Sequence, residues 1–283
     1  MPLELPITGA LPAGSGPLPL IPAKPRGGRR RQVWALMFVA LLALLIYAWI
    51  DVGGSLSQFF TGMFGSKGLF QNIVPASLPP AANQIWPGVD AALTTFAVAI
   101  LSIFFGVIGS VAMLPLAARN ITPSRPLYEL ARLIQAILRS IPELIMLLFF
   151  LIVFGFSPFA AVVALTFHGI GVKGKLFAEA VEEMDMAPVE ALRAAGASRL
   201  QVFLHAVLPG VRNTLTGLTL YRLDANFRSA VTLGAVGGGG IGFLIDNELN
   251  VFQFRPVTTY IIILVVFVMA IERVSTLLRS RLT

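Results

Sequence analysis

The stretch HGIGVKGKL (168–176) sets Gly169, Gly174 and Lys175 at the spacing of a phosphate-cradling loop, G-x-x-x-x-G-K-[ST]. In that loop backbone N–H groups wrap the phosphates, the lysine reaches the outer ones and a hydroxyl holds magnesium. Leu176 stands where the hydroxyl belongs. A second glycine cluster, GAVGGGGIG (234–242), has the outline of a dinucleotide fingerprint. Both chemistries need a strand before the loop and a helix opening into water. A third set is charged or ionisable: Arg139, Glu143, His168, Lys173, Lys175, Arg222, Asp224 and Arg228, all in apolar surroundings. Within a membrane such groups cost about 3 kcal/mol each on insertion scales, so they are functional candidates by default.

Water or lipid around these groups is decided by the segments that carry them. Of 283 residues, 56% are hydrophobic and 12% charged, with a mean hydropathy of +0.82. A soluble domain carries about a quarter charged residues, so this chain belongs to a membrane class. It has no cysteine, which excludes disulfides and thiolate metal sites. Its net charge of +7 reads as membrane topology and not as a nucleic-acid footprint, because cytoplasmic loops collect Lys and Arg.

Residues 1–31 are rich in Pro and Gly without helical period, which predicts a disordered tail. The apolar run 32–50 is longer than a signal-peptide core and lacks a small-x-small cleavage site. It is a retained helix, about 28 Å long. Residues 51–87 form an extracytoplasmic segment, in which SLSQFFTGMF (55–64) suits an outer-face helix or a loop. A transmembrane domain of 88–280 then begins, with a second span at 91–118. LIMLLFFLIVFGF (144–156) is too short to cross. Counting back about 20 residues starts the third span near Ala136 and places Arg139 and Glu143 in its inner half. The fourth span is 158–177, the fifth runs from 208 to the glycines at 237–240, and the sixth is 256–274.

The predicted fold is therefore all-α and integral to the membrane, with six transmembrane helices. One set of connections holds Lys24, Arg26, Arg29, Arg30, Arg31, Arg119, Arg125, Arg193, Arg199 and Arg279; the opposite set holds little beyond Lys67 and Arg255. Both termini are accordingly cytoplasmic. HGIGVKGKL then lies inside the fourth span and GAVGGGGIG follows the fifth, so neither is a nucleotide site. Their glycines serve close helix approach.

The longest inward loop, about 178–208, carries two amphipathic patterns separated by Gly196. Val189, Leu192 and Ala195 form one stripe after Pro188; Leu200, Phe203, Leu204 and Val207 form another. An ordinary hairpin resting on lipid headgroups would satisfy this pattern. Glu190, Ala191, Gly196 and the Leu208–Pro209 dipeptide add more. They resemble the E-A-A-x-x-x-G loop of ABC importer permeases, with Leu192 in place of the third motif residue. LRSIPELI (138–145), HGIGVKGKLFAEAVEE (168–183) and YRLDANFRSAVTLGAVGGGGIG (221–242) are similar to stretches of the phosphonate-type permeases. Asp224 and Gly238 stand where those more often have Glu and Ala.

The resemblance implies a multi-pass permease of the bacterial plasma membrane, importing a phosphonate or related small phosphorus oxyanion. It implies a coupling loop at about 186–208, with Glu190, Ala191, Gly196, Ala197 and Ser198 gripping a separate ATPase subunit. The implied partners are a second copy of the chain, two cytoplasmic ATPases holding ATP and magnesium, and an extracytoplasmic solute-binding protein. No cofactor is expected in this chain, and no catalysis.

For the charges, i,i+4 spacing pairs Arg139 with Glu143 and Asp224 with Arg228. Arg222, Lys173 and Lys175 are left without a local acid. Two accounts stand. The pairs hold helices together, the lysines snorkel to inner headgroups and His168 hydrogen-bonds a neighbouring helix; or Arg139, Glu143, His168, Arg222, Asp224 and Arg228 lie along a substrate path that screens an anion. Gly237, Gly238, Gly239 and Gly240 make either a flexible turn or a hinge at an outer gate. An ABC permease for an amino acid or phosphate is the nearest alternative. A proton-coupled secondary transporter would use the buried His and acids as a relay but would carry repeated halves, and none is visible. An intramembrane enzyme would need a nucleophile–base or metal constellation that one central His does not supply.

Overall fold

The structure is a computed structural model describing residues 28–280, all of whose regular elements are helical. The expected disordered tail falls mostly on residues 1–27, outside the described residues, while helix α1 already begins at Gly28 (Gly28–Asp51). The stretch that suited helix or loop is helical: α2 spans Leu56–Phe64. The chain separates into one unit ending at Gly62 and a second beginning at Met63.

The second unit opens with the short α3 (Val74–Ser77) and then α4 (Ile85–Ala117), its spine. Helices α5 (Arg125–Ser140), α6 (Glu143–Phe154) and α7 (Pro158–Glu182) follow. The hairpin comprises α8 (Ala187–Ala194), α9 (Arg199–Val202) and a π-helical turn, Phe203–Val207. Then come α10 (Leu208–Leu233), α11 (Gly240–Asn250) and α12 (Phe254–Arg279). Four helices, α1, α4, α7 and α12, are long and apolar enough to cross a membrane. The count rises to six if each of two bent pairs makes one crossing.

The third predicted span is the main correction. It is not a straight helix over 136–156 but two helices meeting at 88°. The cause is Pro142, whose ring drives the preceding residue out of helical geometry; Ile141 is extended at φ −79, ψ 119. Helix α6 has 12 residues and reaches about 18 Å, short of a hydrocarbon core of about 30 Å. Helix α5, expected to be mostly loop, is strongly amphipathic. Leu127, Leu130, Leu133, Ile134 and Ile137 are exposed on it, while Ala131 and Gln135 are buried. That pattern suits a helix lying along a membrane surface.

Small residues let the spine approach its neighbours. A Cβ at Gly109 of α4 would stand 2.5 Å from Ile170 of α7, and one at Gly171 would stand 2.6 Å from the Arg139 backbone nitrogen of α5. Larger side chains at these points would push the helices apart. One apolar core joins Val98, Ala99, Leu147, Leu165, Phe227 and Leu233 from α4, α6, α7 and α10. A second joins Leu114, Ala117, Phe177 and Val181 to Val189, Val202, Ala206 and Val207 of the hairpin. The hairpin is thus packed into the ends of α4 and α7.

The fifth span bends by 54° at the glycines. Gly237, Gly239 and Gly240 have φ of 114, 76 and 73, conformations that side chains disfavour. The turn is also packed on every side. Added Cβ atoms would stand 2.5 Å from Phe156 at Gly237, 3.0 Å from Ala161 at Gly238 and 2.9 Å from Pro158 at Gly239; at Gly240 one would strike the Thr95 hydroxyl. That hydroxyl accepts the Ile241 N–H at 2.9 Å, satisfying an orphan donor at the start of α11.

At Gly242 an added Cβ would run into the Val231 carbonyl and lie 2.8 Å from the Ala235 nitrogen, both backbone atoms. Gly242→Ala should therefore abolish monodisperse protein on size exclusion in detergent. Gly217→Ala is the control: its Cβ meets nothing within 4 Å, and replacing a mid-helix glycine should be neutral or stabilise by about 0.5–1 kcal/mol. Equal yields of the two variants would contradict this account.

Candidate functional site

The polar residues gather where α4, α6, α7 and α10 meet. Asn226 of α10 donates to Ser102 Oγ of α4 at 3.1 Å, setting the register between these helices. Ser229 of α10 donates to Glu143 Oε1 at 2.7 Å, fastening the first residue of α6. The predicted Arg139–Glu143 pair does not form. The helix break at Ile141 and Pro142 puts them on different helices, so i,i+4 spacing no longer brings them together. Arg139 is exposed at the end of α5.

His168 supports the same elbow. Its Nδ1 lies 3.3 Å from the Ile141 carbonyl, one of the groups freed where α5 stops. Its expected hydrogen bond to a neighbouring helix is present, and its target is the break itself.

On α10 the predicted pair of Asp224 and Arg228 is formed. Arg228 is largely exposed, and Asp224 keeps a second oxygen, Oδ1, buried without a donor. Arg222 is half-buried, with its Nε enclosed and lacking a hydrogen-bond partner.

The two lysines differ, and only Lys173 departs from the snorkelling account. Lys175 pairs with Glu179 at 3.5 Å. Lys173 is 1% exposed, and its ammonium has no hydrogen-bond partner. It points into the α4–α7 interface instead of toward headgroups. A Cβ at Gly106 or at Gly169 would each stand 2.6 Å from Nζ. The two glycines form the slot that holds the ammonium, and any side chain at either would fill it.

At the hairpin end, Glu182 Oε1 accepts from the Arg119 backbone N–H and from the Arg132 guanidinium, each at 2.8 Å. Asn120 Nδ2 donates to the Val181 carbonyl at 2.7 Å. These bonds tie the ends of α4, α5 and α7 together above the hairpin.

The hairpin turn has well-defined chemistry. Gly196 has φ 82; its N–H reaches the Arg193 carbonyl at 3.0 Å, and the Ala197 N–H reaches Leu192 at 3.0 Å. Together they form a Schellman closure of α8. Ser198 then caps α9 in a reciprocal capping box with Gln201. Glu190, Ala191 and Ser198 are exposed, and Ala197 is half-buried. The predicted second stripe is altered by the π-helical turn, which adds a residue to the helical repeat. Val202, Ala206 and Val207 are buried, while Leu200 and Leu204 are exposed.

Sequence reasoning missed α5, the buried state of Lys173, the Glu182 junction and the capping box. Two had local signals: Pro142 ahead of α6, and Ser198 three residues before Gln201. The other two depend on residues of distant helices.

Residues 111–283 match the family described as "Binding-protein-dependent transport system inner membrane component". Over 204 residues the chain is 38% identical to the phosphite transport system permease protein PtxC of Stutzerimonas stutzeri, covering 72% of this chain and 74% of that protein. It is 37% identical over 223 residues to the phosphate-import permease protein PhnE of Mycolicibacterium smegmatis, covering 79% of this chain and 41% of that longer protein. Among solved structures, a chain of the inward-facing MetNI methionine ABC transporter superposes with a TM-score of 0.61 at 25% identity. That superposition covers 72% of this chain and 99% of the other.

Proposed function

Because this chain belongs to the family of binding-protein-dependent transport system inner membrane components, we propose that it carries a phosphonate, phosphite or related small phosphorus oxyanion. The chain is a multi-pass permease subunit of a bacterial plasma-membrane ABC importer, and a non-catalytic one, since ATP hydrolysis belongs to its partner. The observation that carries the substrate class is its similarity to permeases named for phosphite and phosphate over about three quarters of its length. The excess of cationic side chains on α10, where Arg212, Arg222 and Arg228 are set against Asp224 alone, fits the same class. A dianion crossing a low-dielectric region needs compensating charge, and guanidinium matches its oxygens in bidentate fashion.

In this reading the termini face the cytoplasm and two copies pair around the path. Each copy offers one hairpin, with Glu190, Ala191, Gly196, Ala197 and Ser198 at its turn, to one of two ATPase subunits. Closure of the ATPases on ATP brings the hairpins together. Because the hairpin shares a core with the ends of α4 and α7, that movement rocks the helices between inward- and outward-open packings. Arg222, Asp224 and Arg228 line the path, while Glu143 and His168 act on it through the α5–α6 elbow that ends at Arg139. The packed turn at Gly237, Gly238, Gly239 and Gly240 is the pivot of the outer gate.

The test is reconstitution with the ATPase pair and the solute-binding protein in liposomes. Phosphite or methylphosphonate should raise ATP turnover and drive uptake, while methionine should do neither. Stimulation by methionine with none by phosphorus compounds would reverse the assignment.

A further inference from the structure

Lys173 and Arg222 belong to different helices, and the structure brings them to one level. Helices α4 and α10 are antiparallel neighbours in the reading above, in register at the Asn226–Ser102 hydrogen bond. One helical turn toward the hairpin from Asn226 is Arg222; one turn the same way from Ser102 is Gly106. Gly106 is the residue against which the Lys173 ammonium lies.

Among the described residues neither cation forms an ion pair. Asp224 gives one oxygen to Arg228 and keeps Oδ1 enclosed without a donor. Glu179 is engaged by Lys175 and Glu182 by Arg132, and Glu143 accepts from Ser229. Lys173 Nζ and Arg222 Nε are both enclosed without hydrogen-bond partners. The Thr166 hydroxyl, on the same face of α7 two turns away, is enclosed and unpartnered as well. Burying like charges side by side is unfavourable unless an anion joins them. Lys173 is four residues, roughly 6 Å, inside the inner end of the fourth span at 177.

We propose that Lys173 and Arg222 form an oxyanion-holding station within the membrane, with the Thr166 hydroxyl as a further donor. Its ligand is a tetrahedral phosphorus oxyanion of the phosphite, phosphonate or phosphate class. The ammonium supplies a compact point charge and the guanidinium a planar fork, so together they engage different oxygens of one anion. The glycines at 106 and 169 keep the lysine from being displaced by neighbouring side chains. In the state described here the lysine rests in its slot; when the helices part, it is free to follow the anion. The station deepens the reading of the chain as an oxyanion permease and rests on it.

The experiment uses the permease purified with its ATPase pair, without the solute-binding protein, and follows its thermal midpoint. Phosphite and methylphosphonate should raise the midpoint in the unaltered complex, and chloride at equal ionic strength should not. Lys173→Met and Arg222→Met should weaken the half-saturating oxyanion concentration by roughly 10- to 100-fold, as expected for losing a charge-assisted hydrogen bond. Lys173→Arg should retain part of the response. Lys173→Met removes an unpaired buried charge, so it should still assemble; a merely structural lysine would leave the oxyanion response intact. The proposal is overturned if the unaltered complex gains nothing from oxyanion, if Lys173→Met responds equally, or if chloride works as well. Uptake separates the two readings: a Lys173-dependent shift without phosphite or methylphosphonate uptake keeps the station and removes the transport assignment.

Discussion

Phosphite uptake in Arg222→Met should fall on the order of 100-fold, the loss expected when about 3 kcal/mol of charge-assisted binding is removed. The complex should still assemble with its ATPase. Arg222 is half-buried on α10 and forms no ion pair among the described residues, so methionine leaves no paired charge stranded. That separates it from Arg228, whose replacement would orphan Asp224 and disturb the helix as well as the path. Arg222→Lys should recover part of the activity, because charge returns without the bidentate fork. Uptake by Arg222→Met at the unaltered rate would remove this side chain from the path.

The second large effect is expected at the tip of the hairpin. Gly196 has φ 82, and an added Cβ there meets nothing within 4 Å. Any penalty for substitution is therefore backbone strain, about 1–3 kcal/mol for a residue that resists the left-handed region. Valine should open the Schellman closure and displace the Ser198 cap, altering the surface that carries Glu190 and Ala191. The membrane helices are untouched, so Gly196→Val should insert normally. Recovery of the ATPase subunit with it should drop about tenfold or more, in line with strain of at least about 1.4 kcal/mol. Ligand-stimulated ATP turnover should be lost. Gly196→Asn should be much milder, since asparagine tolerates that conformation. Full ATPase recovery with Gly196→Val would mean that another surface makes the grip.

Much of the architecture was legible from local patterns. Long apolar stretches mark α1, α4, α7 and α12, because burial of backbone and apolar side chains in lipid leaves few other solutions. The spacing of Glu190, Ala191, Gly196 and Pro209 identified the hairpin, and Gly196 sits where a helix must stop in the left-handed conformation. Asp224 and Arg228 pair as i,i+4 neighbours do on a continuous helix. Where that continuity failed, so did the reading. Span length alone favours a continuous helix, but Pro142 breaks it, and Arg139 and Glu143 lie on either side of a point where the chain turns by 88°.

Hydropathy, turn chemistry and helical spacing are properties of residues close in the chain, so the sequence by itself determined the membrane class, the principal crossings and the hairpin with its turn. The tertiary structure alone decided the polar partners that lie far apart in the chain. Glu143 meets Ser229, 86 residues away, and Arg132 meets Glu182, 50 residues away. Lys173 stays inside because Gly106, on another helix, leaves room for it. A long cationic side chain near a membrane surface will ordinarily reach for water. Whether it can is a matter of what stands beside it, and those neighbours are set by packing between helices.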